Sequence, residues 1–499
     1  MGPRTWIGDR RGGAIALLAL ILLLTPLATG GAAPPEALAN PRVSLIPPQK
    51  AEATQVQLKR TGLANHERPA APGKPVAGPQ PRRIVVADET GRRVVARVLG
   101  SREGRYVVLL PDGRLGWPDG LIDTARPFVP ATADEMRRSL VEGGYQGFEI
   151  RQTEHYLVVS QATPAFAAAS AQLLESLYRG LTNGLRCDGI AAQEAEIPLV
   201  AVIYRTEKDF RARHDVDPDV QAFYSVSSNR IFFYETSDRD QQAPEVAALR
   251  KPQTVAHEGT HQILQNIGVQ PRLADWPAWL AEGLAEYCAP TTTGRNGDWA
   301  RFGKVNPFHM ATFRDLKDPA ALQGRGQGMT IPDFGADPRH PMVEGLATRG
   351  DLTPTDYASS WALTHYLATR RLDQFLAYLK TLGRMRPLER RTPTEHLFTF
   401  RSAFGDDLAK LDRKVRAHVD HLEELGHFEA LTYYAVIFEQ VFPDSPNLRG
   451  TLVSQSPSVI RQWLDSMVAP HGGQALWEII PCQTRGQALL RTRRWHTGP

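Results

Sequence analysis

The sequence predicts an α+β protein, in which a mostly helical domain surrounds a small sheet and follows a small all-β module. Three observations carry that prediction. Short β-branched runs cut by glycine turns every 8–12 residues fill 82–128. Helical and strand-like periods alternate from about residue 131 and become mainly helical up to about 426. Between them lie two stretches with helix start and stop signals, 254–264 and 276–287, which hold the chain's one coherent set of metal-ligand residue types.

Composition bounds the classes. A chain of 499 residues with 42% hydrophobic content is long enough for a leader, a small module and one or two larger domains. The net charge of +4 is close to balance, and no basic stripe interleaves with aromatics, so nucleic-acid binding is not expected. Cys187, Cys288 and Cys482 are too few for a disulfide scaffold, although one bridge is possible. No phosphate-cradling glycine loop and no internal repeat is found.

Residues 1–33 read as an export signal. Arg4, Arg10 and Arg11 precede an apolar run from Ala14 to Leu24, and small residues follow around Ala28, Gly30, Ala32 and Ala33. That run falls short of the ~20 residues a membrane span needs. The expected location is therefore the periplasm, cell envelope or extracellular space, with membrane association only if the segment stays uncleaved. Residues 34–81 are rich in Pro, Ala and Gln without hydrophobic period, and read as a disordered linker.

Runs at 83–87, 94–99 and 106–110, separated by turns at Glu89–Gly91, Ser101–Gly104 and Pro111–Gly113, suggest a small barrel over 82–128. In outline it resembles a Src-homology-3-like module, either a docking or a packing unit. The domain at 131–426 then opens with a helix at 136–141, an alternating strand pair within 147–160, a long helix over 165–185 and a buried strand at 199–204. A short helix at 207–214 precedes a hairpin of 222–226 and 230–234.

The stretch Thr254-Val255-Ala256-His257-Glu258-Gly259-Thr260-His261 contains His-Glu-x-x-His. On a helix, His257 and His261 project from one face a turn apart and can share a zinc ion. Glu258 lies ~100° further round, beside the metal, where a carboxylate can take a proton from a bound water. Val255, Gly259, Ile263 and Ile267 form an i+4 ridge for the core, Pro252 suits the first turn, and Gly268 with Pro271 suits the stop. Standing alone, the motif would also fit a core helix with two hydrogen-bonded histidines.

It does not stand alone. A zinc hydrolase wants three protein ligands and an open position, and Glu282 in Trp279-Leu280-Ala281-Glu282-Gly283-Leu284-Ala285-Glu286-Tyr287 supplies the third. The gap from His261 is enough to end one helix, turn, and bring a second back against the metal. Gly283 would let those two helices approach closely. Glu286, a turn beyond Glu282, is placed to orient a ligand histidine.

This pair of segments resembles the gluzincin clan of zinc peptidases, and is closest to bacterial "peptidase MA-like" proteins. The resemblance implies a gluzincin-like catalytic domain, a zinc cofactor held by His257, His261 and Glu282, Glu258 as general base and Glu286 in support of a histidine. It implies a peptide or protein substrate whose backbone lies along an edge strand near the 222–234 hairpin. Ala281 stands where the aminopeptidase branch has Asn, and no upstream segment for a free amino terminus is evident, which puts exopeptidase action in doubt. By position in that branch, Tyr357 is the expected oxyanion donor, with His365 and Tyr366 as runners-up. An inactive envelope binding or scaffold protein, working through the β module, is the competing class.

Residues 291–355 read as a long loop over or beside the cleft, from which His309 or His340 could reach the metal. Helices follow, from 356 (capped by Thr355 or Asp356), over 372–382, and twice within 393–425, with Leu408, Leu411, Val415, Val419 and Leu422 in the core. In the extension at 427–499, segments 433–442 and 459–468 read as helices and 485–494 as a solvated basic tail.

Overall fold

The computed structural model describes residues 82–497 apart from 89–90, 103, 119, 292–298, 319–341, 429, 444 and 469–472. Residues 1–33 and 34–81, read from sequence as an export signal and a disordered linker, and His340 lie outside the described residues.

The protein is α+β. Its first sheet joins β1 (Arg83–Ala87), β2 (Arg93–Arg102), β3 (Arg105–Leu109), β4 (Leu115–Gly116) and β5 (Ile122–Asp123) in the order β4-β3-β2-β1-β5, antiparallel throughout. The expected barrel is not closed among the described residues. Its terminal strands are two residues each, too short to pair with one another, and its core is only Ile84, Ala96 and Val108 with a few half-buried neighbours. The β4 side is instead pinned to the main domain. Leu115 N–H donates to Ser227 O at 2.8 Å, and buried Arg272 donates to Gly113 O at 2.5 Å and to Val226 O. Arg97 adds a two-pronged pair with Glu196 at 2.8 and 2.9 Å. These contacts fit a packing unit that braces the turn of the neighbouring hairpin.

The main domain opens with α1 (Ala133–Glu142), begun by a reciprocal Thr132–Glu135 capping box. Its sheet holds β6 (Glu149–Gln152), β7 (Tyr156–Ser160), β8 (Leu199–Thr206), β9 (Ala222–Ser225) and β10 (Arg230–Thr236) in the order β6-β7-β8-β10-β9. The β7–β8 and β8–β10 pairs are parallel, while β6 and β9 run antiparallel at the two edges. Strand β7 is buried along its whole length rather than on alternate residues. The reason is that both faces are covered. Val158, Ala201, Ile203 and Phe233 face α2 (Pro164–Cys187), whereas Val159, Val202, Tyr204 and Phe232 face α1 and α3 (Glu207–Arg211).

After the short α4 (Asp238–Gln242), the rest is helical: α5 (Pro244–Asn266), α6 (Ala278–Cys288), α7 (Pro307–Lys317), α8 (Met342–Thr348), α9 (Pro354–Arg370), α10 (Leu372–Leu382), α11 (Pro393–Phe404) and α12 (Leu408–Leu425). Helices α7 and α8 correct the expectation of a long loop at 291–355. Asn306-Pro307 supplies an ordinary cap and first turn, and Met310 and Phe313 go to the core. Helix α9 is capped by Thr353, with Asp356 at its third position, not by Thr355 or Asp356.

The extension differs most from expectation. Segment 433–442 is a strand, β11 (Tyr433–Val441), between β12 (Leu448–Ser454) and β13 (Gln474–Cys482). Its residues serve opposite faces. Val436 and Phe438 pack under α13 (Pro457–Met467), and Ala435 packs under α14 (Arg485–Thr497). The expected basic tail is thus a helix docked through Ala488, with its arginines on the remaining surface. All three cysteines are free, so no bridge forms. No described helix is long and apolar enough to cross a membrane.

Two buried histidines, His365 and His418, meet between α9 and α12. His365 Nε2 donates to Gly303 O at 3.3 Å, which leaves its Nδ1 to accept from His418 Nε2 at 2.9 Å. Burial holds both imidazoles down, to about 4. The unfolded chain, titrating near 6.5, therefore binds more protons between pH 6.5 and 4, and stability falls as pH drops through that window. The expected loss is at most about 3 kcal/mol per histidine. Melting temperatures measured from pH 7.5 to 4.5 should fall less steeply for His418→Gln than for wild type; equal slopes would reject the assignment.

Candidate metal centre

Helix α5 begins two turns earlier than the motif suggested, at Pro244, so Pro252 lies inside it rather than in its first turn. The early start is set by Pro244 at the first helical position and by Glu245, which the C-terminal extension engages through Ser456 and Ser458. The helix ends as expected, at Asn266, with Ile267 as its cap and Gly268 in the left-handed region at φ 79°. The ridge Val255, Gly259, Ile263 and Ile267 is buried against α2. A Cβ on Gly259 would sit 2.8 Å from Leu174. On a flanking side Gln262, fully buried, donates to Val200 O at 3.1 Å and Asn229 O at 2.7 Å, fixing the helix to β8 and the hairpin turn.

Helix α6 is wedged between α5 and α9. The close approach that Gly283 permits is to α9, not to α5: a Cβ there would lie 2.7 Å from Ser360 O and nearer still to Thr364 Oγ1. Trp279 anchors the other end against Tyr378 and Phe400.

These helices bring His257, His261 and Glu282 together. His257 Nε2 lies 3.2 Å from His261 Nε2 and 3.2 Å from Glu282 Oε2, and His261 Nε2 lies 3.5 Å from the same oxygen. Donors at about 2.0–2.1 Å from a tetrahedral ion stand about 3.3 Å apart, so this triangle has the size of one face of such a site. Its chemistry fits a cation as well. His257 Nδ1 faces Glu286 Oε1 at 3.2 Å, which keeps the neutral ring's proton there and turns the Nε2 lone pair towards another nitrogen and a carboxylate.

Glu286 occupies the expected supporting position, and its other oxygen, Oε2, is held by His309 Nε2 at 2.8 Å and Asn306 Nδ2 at 3.1 Å. His309 does not join the triangle; it is committed to the Glu286 carboxylate instead. The legible signal was Asn306-Pro307, which starts α7 and so fixes where His309 points. Burial opposes charge on both glutamates, yet His309 and His257 around Glu286, and His261 and His257 around Glu282, hold these carboxyls well below their ordinary range.

A cleft of about 330 Å³ opens on this centre, lined by His257, Glu258, Glu286 and Tyr357 and by Ala222 of β9. Burial raises the Glu258 carboxyl, against the pull of His257 and His261. Tyr357, at the head of α9, is half-buried, and burial next to Glu282 and Glu258 keeps its hydroxyl protonated. The runners-up His365 and Tyr366 are not brought to the cleft. Both lie in the core, packed on His418. A second group of possible ligands, Glu154, His155 and Glu175, is committed to a turn: Glu175 accepts from His155 N–H at 2.7 Å and faces His155 Nδ1 at 2.8 Å.

A family model described as "Protein of unknown function (DUF1570)" matches residues 251–389. That interval starts on α5 and runs past α9, so it contains His257, Glu258, His261, Glu282, Glu286, His309 and Tyr357. It covers a little over a quarter of the chain. No curated protein matches the chain.

Proposed function

We propose that the chain is an exported zinc metallopeptidase of gluzincin type that hydrolyses peptide bonds in a peptide or protein substrate. The observation that carries this reading is the triangle of His257, His261 and Glu282 donors on a cleft that Glu258 also lines. Two imidazoles and one carboxylate are a donor set common to hydrolytic zinc. When bound, zinc would polarise the scissile carbonyl and acidify a water. Glu258 takes the proton of the attacking water and hands it to the departing nitrogen, and its raised affinity for a proton suits both halves of that task. The neutral Tyr357 hydroxyl is a donor for the oxyanion. Edge strand β9, unpaired on its outer side among the described strands, offers backbone groups to an extended substrate.

The test compares wild type with Glu258→Gln for zinc content by mass spectrometry and for hydrolysis of casein. The variant is expected to keep one zinc per chain and lose activity by about 10²–10⁴-fold. Zinc without Glu258-dependent cleavage would make the protein a binding or scaffold member instead.

A further inference from the structure

The face of α5 that carries His257 continues towards the helix N-terminus. Arg250 lies seven residues earlier, which on a helix is the same face about 10 Å away. It lines the same cleft, and its guanidinium lies over the ring of Phe308 at 4.7 Å. Among the described residues its side chain makes no ion pair or hydrogen bond. The acids and hydroxyls around it are spoken for or distant. Asp240 is paired with Lys251 at 2.7 Å, Asp219 is paired with Arg239 at 3.1 Å, and Tyr433 acts only through its field. Nearby Gln253 is 8% exposed and its Oε1 has no partner. Arg250 is exposed to solvent at the cleft, so a substrate carboxylate can reach its guanidinium directly and form charge-assisted hydrogen bonds with it.

The strand beside the cleft gives the direction. Ala222 and Gln221 line the cleft together with Arg250, whereas Tyr224, further along β9, faces Glu258. Strand β9 therefore runs in the same sense as α5, from the Arg250 end to the Glu258 end. A peptide added antiparallel to its free edge runs the other way, and its residues after the scissile bond head for Arg250. At about 3.3 Å per residue, 10 Å is two to three residues.

We infer that Arg250 is a specificity residue that binds a substrate carboxylate two or three positions to the leaving-amine side of the scissile bond. The inference rests on the peptidase reading for its direction, and its test does not need cleavage. Three fluorescein-labelled octapeptides share one alanine- and phenylalanine-based sequence. The first carries two internal glutamates and an amidated end, the second two glutamines and a free carboxylate end, and the third two glutamines and an amidated end. Binding is followed by anisotropy with zinc-loaded Glu258→Gln and with Glu258→Gln/Arg250→Ala, both checked for folding by circular dichroism.

One or both carboxylate peptides should bind about 2- to 5-fold more tightly than the neutral one, which tells a side-chain from a terminal carboxylate. That preference should vanish with Arg250→Ala and reverse with Arg250→Glu. Equal affinities with Arg250 intact, a preference that survives Arg250→Ala, or no binding of any peptide would overturn the assignment. Failure of the peptidase reading shows separately, as a wild type that binds with this preference and cleaves nothing.

Discussion

Zinc added to metal-free protein is expected to raise its melting temperature by several degrees, and Glu282→Ala to abolish that rise. At a thousandfold excess over the dissociation constant, binding to the folded state alone contributes about 4 kcal/mol, or about 8 °C at roughly 2 °C per kcal/mol for a domain of this size. Removing Glu282 takes away the oxygen that closes the triangle with His257 and His261. Glu286→Gln should act more mildly. That residue orients His257 through Nδ1 and is itself held by His309 and Asn306, so its loss should weaken zinc by about 10–100-fold without ending binding. Thermal scans with and without zinc, paired with metal analysis, give both quantities. A full rise in Glu282→Ala would show that the third donor has been misassigned.

Gly283→Ala should be strongly destabilising. The new Cβ meets a backbone oxygen, Ser360 O, at 2.7 Å and crowds Thr364 Oγ1 as well. A carbonyl inside α9 cannot swing away, so α6 must shift and carry Glu282 and Glu286 with it. Overpacking of a buried helix contact costs about 1–3 kcal/mol, occasionally more, and this case falls at or above the upper end. Chemical denaturation should report that loss, and metal analysis a weakened site. Thr364→Ala in the same chain should restore part of the stability, because it clears the hydroxyl but not the carbonyl. A Gly283→Ala protein as stable as wild type would mean that α6 and α9 are not packed at this distance.

The parts legible from sequence are those whose cause is local. The i, i+4 pair His257 and His261, the acid Glu258 between them and the second helix with Glu282 and Glu286 follow from periodicity and ligand chemistry. The stop of α5 at Gly268, the long helix α2 and the buried strand β8 follow from short-range signals of the same kind. Sequence pattern and structure part where a distant partner decides the outcome. Tyr433–Val441 has apolar residues on both sides because it is the central strand of a sheet with a helix on each face, and that pattern imitates a buried helix. Pro252 suggested a helix start because its tolerance inside α5 depends on surrounding packing. The β module was expected to close on itself, but its β4 side is taken up by Ser227 and Arg272 of the next domain.

For this protein, sequence alone determined the chemical inventory: which imidazoles and carboxylates are available, on which helices, and at what spacing along each. Tertiary structure alone decided their company. It put Glu282 against both histidines, turned His309 from possible ligand to carboxylate support, spent the gap at Gly283 on α9, and left Arg250 on the cleft without a partner. Helical period fixes what shares a face within a few turns, but which face meets which is settled by packing between separate elements.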